Sequence, residues 1–236
     1  MSETRAASPD LTAARRELLG VVLAGGRSSR MGRDKAKLAI GGFLRERSEA
    51  AVPETAVPET VFPEPARRDT TFLEFAVHRL RPFVGQIAVS GRSAAELAGW
   101  MTLAGGRLAA GVLAVEDTRP GEGPAIGVWE SLRLAESLAM SAVLITPVDM
   151  PDLGTADLLQ LVRAWSIHRG IVCGAFAGGR PEPLVAIYPV TELAAIERLT
   201  RSEHRSLSRY LVERPHVVVP LSPAVARNVN TPGDWG

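Results

Sequence analysis

The densest chemistry in the chain lies in thirteen residues, Leu23-Ala24-Gly25-Gly26-Arg27-Ser28-Ser29-Arg30-Met31-Gly32-Arg33-Asp34-Lys35. Paired glycines let backbone N–H groups come close to phosphate oxygens that a side chain would block. Arg27, Arg30, Arg33, Lys35 and Lys37 bring up to five cations to the same stretch. Arginine offers a planar fork to two oxygens, and lysine a compact point charge. Lys35 and Lys37 are the only lysines among 27 Lys and Arg. In so arginine-biased a chain, ammonium groups at this one place point to a need of the site. The chemistry this implies is the cradling of a nucleoside triphosphate.

The spacing excludes two familiar phosphate loops. No G-x-x-x-x-G-K-[ST] occurs, and no G-x-G-x-x-G. Other acidic residues stand where ligands of α/β sheets collect, just after an apolar strand. Asp149 follows Ala142-Val143-Leu144-Ile145, and Asp117 follows residues 111–115. A carboxylate at Asp149 can hold Mg²⁺, which keeps several waters and bridges phosphate oxygens. Asp117 has three readings: a contact to ribose or base, support for the metal, or a cap on its own loop. The four histidines, His78, His168, His204 and His216, lack metal-ligand spacing. No Ser/His/Asp arrangement is legible, and the arginines are dispersed without interleaved aromatics, so no nucleic-acid partner is expected.

Taken whole, the string at 23–35 resembles L-A-G-G-x-S-x-R-M-G-x-D-K of the molybdenum cofactor guanylyltransferases, within the wider nucleotidyltransferase superfamily. Three further stretches match in the same order. Val115-Glu116-Asp117 with Pro120-Gly121-Glu122-Gly123-Pro124 and Gly127 resembles the family's E-D…G-P-x-x-G. Pro147-Val148-Asp149-Met150-Pro151 resembles its P-x-D-x-P, and Asn228-Val229-Asn230-Thr231-Pro232 its N-V-N-T-P. Arg180-Pro181-Glu182-Pro183-Leu184 and Arg205-Ser206-Leu207 also resemble family elements. The likeness spans residues 20–236 apart from one insertion.

The resemblance implies a Rossmann-like nucleotidyltransferase fold and a reaction. A terminal phosphate of molybdopterin, or of its molybdenum form, would attack the α-phosphorus of GTP in line and release pyrophosphate. It implies nucleotide contacts at Leu23, Ala24, Gly25, Lys35, Asp117 and Asp149, and a pterin side lined by Asn228 and Asn230. In this reading the Gly25 and Gly26 amides hold phosphates. Lys35 and Arg30 neutralise the departing pyrophosphate, and Asp149 holds the Mg²⁺ cofactor and orients the α-phosphate. Contact with other cofactor-biosynthesis proteins or a molybdoenzyme would follow. Two departures stand out. Ser90 occupies a strand end where the family often has Asn, and the family's G-x-P-L step after Lys35 gives way to a long insertion. Gly25-Gly26 favours guanylyl over cytidylyl transfer, because the cytidylyl relatives resemble L-A-A-G. The alternatives are cytidylyl or sugar-phosphate nucleotidyl transfer and a non-catalytic nucleotide-binding subunit.

The elements that must position these residues alternate. Strands are predicted at 20–24, 87–89, 111–115, 142–145, 171–176, 184–188 and 217–219. Helices are predicted at 71–80, 94–103, 124–138, 155–165 (capped by Thr155), 191–199 and 206–212. Such alternation argues for an α/β class, a mainly parallel open sheet with helices on both faces. The strands flanking Gly178-Gly179 suit an antiparallel excursion. Residues 1–18 read as a flexible N-terminal arm, either a frayed helix or a disordered leader, and 19–236 as a single domain. Within it, residues 45–69 form a Pro-rich surface insertion with AVPET repeated at 51–55 and 56–60. Pro53, Pro58, Pro63 and Pro65 bar a regular helix or central strand there. At 46% hydrophobic, 22% charged and net charge +1, the chain has enough apolar residues for a sizeable core and no bulk charge calling for nucleic acid or membrane. The single cysteine, Cys173, lies in an apolar run and reads as a buried small hydrophobe. With no signal-peptide pattern and no apolar run near ~20 residues, a cytoplasmic location is expected.

Overall fold

The first strand, β1 (Leu18–Leu23), is apolar on both faces. Leu18 and Val22 enter one core cluster, Leu19 and Val21 another, and all four are fully buried. A strand with alternate residues buried in opposite directions needs helices above and below it. The computed structural model, which describes residues 11–25, 34–40, 70–103 and 111–222, supplies them. One face carries α1 (Leu11–Arg16), α2 (Phe72–Leu80), α3 (Ala94–Leu103) and α5 (Thr155–Ile167). The other carries α4 (Pro124–Ser137), α6 (Leu193–Arg201) and α7 (Leu207–Val212). The remaining strands are β2 (Gln86–Ser90), β3 (Val112–Val115), β4 (Ala142–Pro147), β5 (Val172–Ala177), β6 (Arg180–Pro189) and β7 (His216–Pro220). They form one sheet in the order β3-β2-β1-β4-β6-β5-β7. Among the described residues only β6 runs against the others, so the expected α/β class and mainly parallel sheet are found.

Register is the feature that builds the site. Leu23 pairs with Ser90 on one side and with Pro147 on the other, and Ser90 pairs with Val115. Four parallel strands therefore end on one level. The ladder runs one step further: Ala24 N–H donates to Ser90 O (2.9 Å), Gly91 N–H to Val115 O (2.9 Å) and Val148 N–H to Leu23 O (3.1 Å). The chain order also reverses at β1, which has β2 on one side and β4 on the other. Ligands of open α/β sheets bind at such a switch point.

Several expectations need correction. The arm expected over 1–18 is structured from residue 11. Leu11–Arg16 is helical with Ala14 fully buried, and Leu18 already belongs to β1, because these apolar positions reach the cluster beside α5. Residues 1–10 lie outside the described residues. Helix α5 is capped at Gly154 and not at Thr155; the Asp157 carboxylate accepts from Gly154 N–H (2.9 Å). Helix α6 starts at Leu193, after a tight turn at Val190–Glu192. Strand β6 extends back to Arg180 across Pro181 and Pro183. It tolerates them because β4 pairs only with residues 186–189, so the missing N–H groups leave no gap on that side. Cys173 is buried as expected, and burial pushes its thiol up to about 12. No described helix is long and apolar enough to cross a membrane.

The insertion has its two ends joined. Ile40 N–H donates to Thr70 O (2.8 Å), Phe72 N–H to Leu38 O (3.0 Å), and Ala39 bridges antiparallel to Thr71. Thr71 then caps α2 through a reciprocal capping box with Glu74, an arrangement that contributes about 1 kcal/mol. Ile40 and Phe72 pack with Leu38, Phe75 and Val148. The segment 45–69 itself lies outside the described residues. Because its exit and return coincide, replacing 41–69 with a four-residue turn is expected to preserve the fold. Shorter loop closure should raise unfolding free energy by about 1–2 kcal/mol, read by urea denaturation of the shortened and full-length proteins. A loss of cooperative unfolding would refute this.

Candidate active site

The residues just past the level strand ends surround a pocket of about 700 Å³. Leu23, Ala24 and Gly25 come from the end of β1, Ser90 and Gly91 from β2, Asp117 from β3, and Val148 and Asp149 from β4. Lys35 reaches the same pocket from a tight turn at Lys35–Lys37. Its Nζ lies 3.3 Å from Asp149 Oδ2, with 16% and 26% of the two side chains exposed. Two motif residues 114 positions apart thus meet as a half-buried ion pair facing the cavity. Such a pair holds both side chains in place while each keeps a face open to a ligand.

The floor demands glycine. A Cβ on Gly91 would stand 2.3 Å from Gly25 Cα, and Gly91 has φ +83°. A Cβ on Gly127 would stand 3.0 Å from Ser90 Oγ and 3.1 Å from Leu23 Cδ2. Gly127 lies in the first turns of α4, which opens on Gly123 (φ 96°) with Pro124 at its first position. Gly123, Pro124 and Gly127 all line the pocket, so the N-terminus of this 14-residue helix adjoins the space where a ligand sits. The helix dipole favours an anion there. Asp117 lines the pocket and also accepts from Arg119 N–H (3.0 Å). Asp117 therefore caps its own loop while lining the cavity.

The loop carrying Asp117 is anchored from several sides. Thr118 Oγ1 donates to Glu130 of α4 (2.6 Å), Arg119 to Thr200 Oγ1 of α6 (2.9 Å), and Arg205 to Glu122 (2.5 Å). Of the site residues expected from sequence, Leu23, Ala24, Gly25, Lys35, Asp117 and Asp149 converge on one cavity. Gly26, Arg30, Asn228 and Asn230 lie outside the described residues.

Two arginines escape a reading of the sequence. Arg92, just after β2, donates through Nη2 to Ala24 O (3.0 Å) and to Asp34 Oδ1 (2.6 Å). Its position after a strand was a usable signal. Arg79 of α2 is buried, and its Nη1 donates to Met150 O (2.8 Å) and Pro151 O (3.3 Å). It thereby fixes the turn after Asp149. Burial lowers its pKa to about 10, opposed by the charge of Asp157. No sequence signal marks Arg79, because an arginine in an amphipathic helix ordinarily reads as solvent-facing.

Residues 20–217 match the MobA-like NTP transferase domain. The chain belongs to that family. It is a nucleotidyltransferase by this membership. A probable molybdenum cofactor guanylyltransferase of Rhodopirellula baltica is 38% identical over 93% of this chain and 90% of its own length. The molybdenum cofactor guanylyltransferase of Sinorhizobium fredii is 30% identical over 90% of this chain and 86% of its own. Among solved structures, molybdopterin-guanine dinucleotide biosynthesis protein A of Archaeoglobus fulgidus superposes with TM-score 0.63 at 18% identity, covering 92% and 94% of the two chains. A 4-diphosphocytidyl-2C-methyl-D-erythritol synthase of Anaerococcus prevotii superposes with TM-score 0.61 at 12% identity, covering 94% and 95%. The expected nucleotidyltransferase fold is therefore present, and the fold is common to enzymes named for different nucleotides.

The Gly25–Gly91 contact gives a direct test. Gly91→Ala forces two backbones apart and strains a left-handed residue, at a cost of about 1–3 kcal/mol. Nucleoside triphosphate binding, measured by calorimetry, is expected to fall more steeply than the melting temperature. Unchanged affinity would show that the two backbones need not touch.

Proposed function

We propose that the chain transfers the guanylyl group of GTP to a terminal phosphate of molybdopterin, or of its molybdenum form, and releases pyrophosphate. The observation that carries this reading is the Lys35–Asp149 pair, which joins two motifs of the guanylyltransferases inside one cavity at the sheet's switch point. The names of the relatives with 38% and 30% identity supply the substrates.

The chemistry asks little of a general base, because the attacking group is already an anionic phosphate. What it needs is alignment and relief of charge repulsion between two phosphorylated substrates. Gly25 offers a backbone donor to phosphate oxygens, and the dipole of α4 favours their charge. Lys35 brings a compact point charge for the pyrophosphate that leaves, and Arg30 is assigned the same task. Asp117, just after β3, is assigned to the ribose or base or to support of the metal. Asn228 and Asn230 are assigned to the pterin side.

The donor set suits Mg²⁺. Among the described residues no group of three or more His, Cys, Asp or Glu forms a closed metal cage. Magnesium in phosphate chemistry is commonly held by one or two carboxylates together with the substrate's own oxygens. Asp149, partly exposed to the pocket, provides such a carboxylate. When bound there, Mg²⁺ would polarise the phosphoryl oxygens and screen their charge. A cytoplasmic setting fits a soluble cofactor acceptor.

Asp149→Ala is expected to lower transfer by about 10²–10³-fold or more while leaving the melting temperature near that of the parent. Pyrophosphate release with Mg²⁺ and molybdopterin reads the first quantity, and GTP is expected to outperform CTP and ATP in the same assay. Normal turnover by the variant would remove Asp149 from the mechanism. A preference for CTP would move the chain to cytidylyl transfer.

A further inference from the structure

Asp34, in the motif at 23–35, lines the pocket without an assigned task in nucleotide binding. The structure gives it a partner. Asp34 Oδ1 accepts from Ala36 N–H (3.2 Å), which caps the turn Lys35–Lys37, and from Arg92 Nη2 (2.6 Å). The same Arg92 nitrogen donates to Ala24 O (3.0 Å), at the far end of the phosphate loop. One guanidinium therefore ties together the two places where the loop leaves β1 and where it returns. The arginine is itself well held. Only 12% of its side chain is exposed, Glu96 Oε1 lies 3.7 Å from Nη1, and the guanidinium stands over the Trp100 ring at 5.7 Å. Its backbone position is fixed by Gly91, whose N–H donates to Val115 O (2.9 Å).

We propose that Arg92 and Asp34 form a clamp that positions Lys35 for the triphosphate, an inference that rests on the nucleotidyltransferase reading of the pocket. The chain of contacts is continuous. Arg92 holds Asp34, Asp34 caps the turn, the turn carries Lys35, and Lys35 meets Asp149. The guanidinium plane matters, because it fixes the directions of the two Nη2 hydrogens toward a carbonyl and a carboxylate, which an ammonium on a flexible stem does less well. Carboxylates at Asp34 and Glu96 flank the guanidinium, so its charge is spent on the protein and not on the ligand. Arg92 is a positioning residue, and its effect on the nucleotide runs through Lys35.

The test is a set of mutant cycles on the full chain, with GTP affinity measured by calorimetry and folding by thermal melting. Arg92→Met and Asp34→Asn are each expected to weaken GTP binding about tenfold, as the loss of a charge-assisted hydrogen bond predicts. Arg92→Lys should retain part of the affinity. The double variant should be no weaker than the weaker single variant, since both break one clamp. Added to Lys35→Met, Arg92→Met should change affinity by less than about twofold, because its consequence is already lost. A purely structural role would lower the melting temperature without this dependence on Lys35. If Arg92→Met does not fold, Asp34→Asn, at a partly exposed carboxylate, carries the same comparison in the Lys35→Met background. Parent-like affinity in the single variants overturns the clamp, as do losses that multiply in the combinations with Lys35→Met. A parent protein that binds none of GTP, CTP and ATP overturns the reading of the pocket, and the clamp with it.

Discussion

The site depends on strands β1 to β4 ending on one level. Parallel pairing of Leu23 with Ser90 and Pro147, and of Ser90 with Val115, is a backbone constraint. It is enforced by burial on both faces. A slip of one residue in any strand would send its side chains to the opposite core cluster, where their shapes do not match the packing. Because both faces are core, the register is strongly specified. The residues immediately after the strand ends are then delivered to a common place: Gly25, Gly91, Asp117 and Asp149.

Around that frame the chain uses its special residues sparingly. Glycines stand where two backbones meet, at Gly25 and Gly91, or where α4 packs on the strand ends, at Gly127. Buried charge is used where a turn must be held. Arg79 reaches two carbonyls beyond Asp149, and Arg92 reaches both ends of the loop before Lys35. Burying a guanidinium costs several kcal/mol unless its hydrogen bonds are met. Arg79 and Arg92 each meet part of that need by donating to two acceptors at the two turns that carry the paired Lys35 and Asp149. The site is therefore assembled from both sides by one kind of contact.

The long insertion and the strand-end frame are reconciled by the bridge at Ala39 and Thr71. The chain departs and returns at one point, and the small apolar cluster there includes Val148, next to Asp149. A large change in sequence length after Lys35 thus leaves the strand-end geometry intact. The fold shared with a cytidylyl-named enzyme points the same way. The scaffold fixes where the strand-end residues gather.

By itself the sequence determined the fold class, the alternation of elements and the chemical types at the strand ends. These are legible because period-two and period-3.6 burial, glycine pairs and post-strand carboxylates are local patterns. The order of motifs associates Lys35, Asp117 and Asp149, and the structure gathers all three around one cavity. The start of order at residue 11 was not legible, because six helical residues rich in Ala and Arg show no face until something packs against them. Strand β6 read too short, because prolines argue against a strand unless the neighbouring strand is known to stop. Only the tertiary structure decided that Lys35 pairs with Asp149, that Asp34 answers to Arg92, and that a helical arginine turns inward to the P-V-D-M-P turn. Those partners are 114, 58 and 71 positions apart. Contacts at such separations are set by strand register and crossover, which no local pattern encodes.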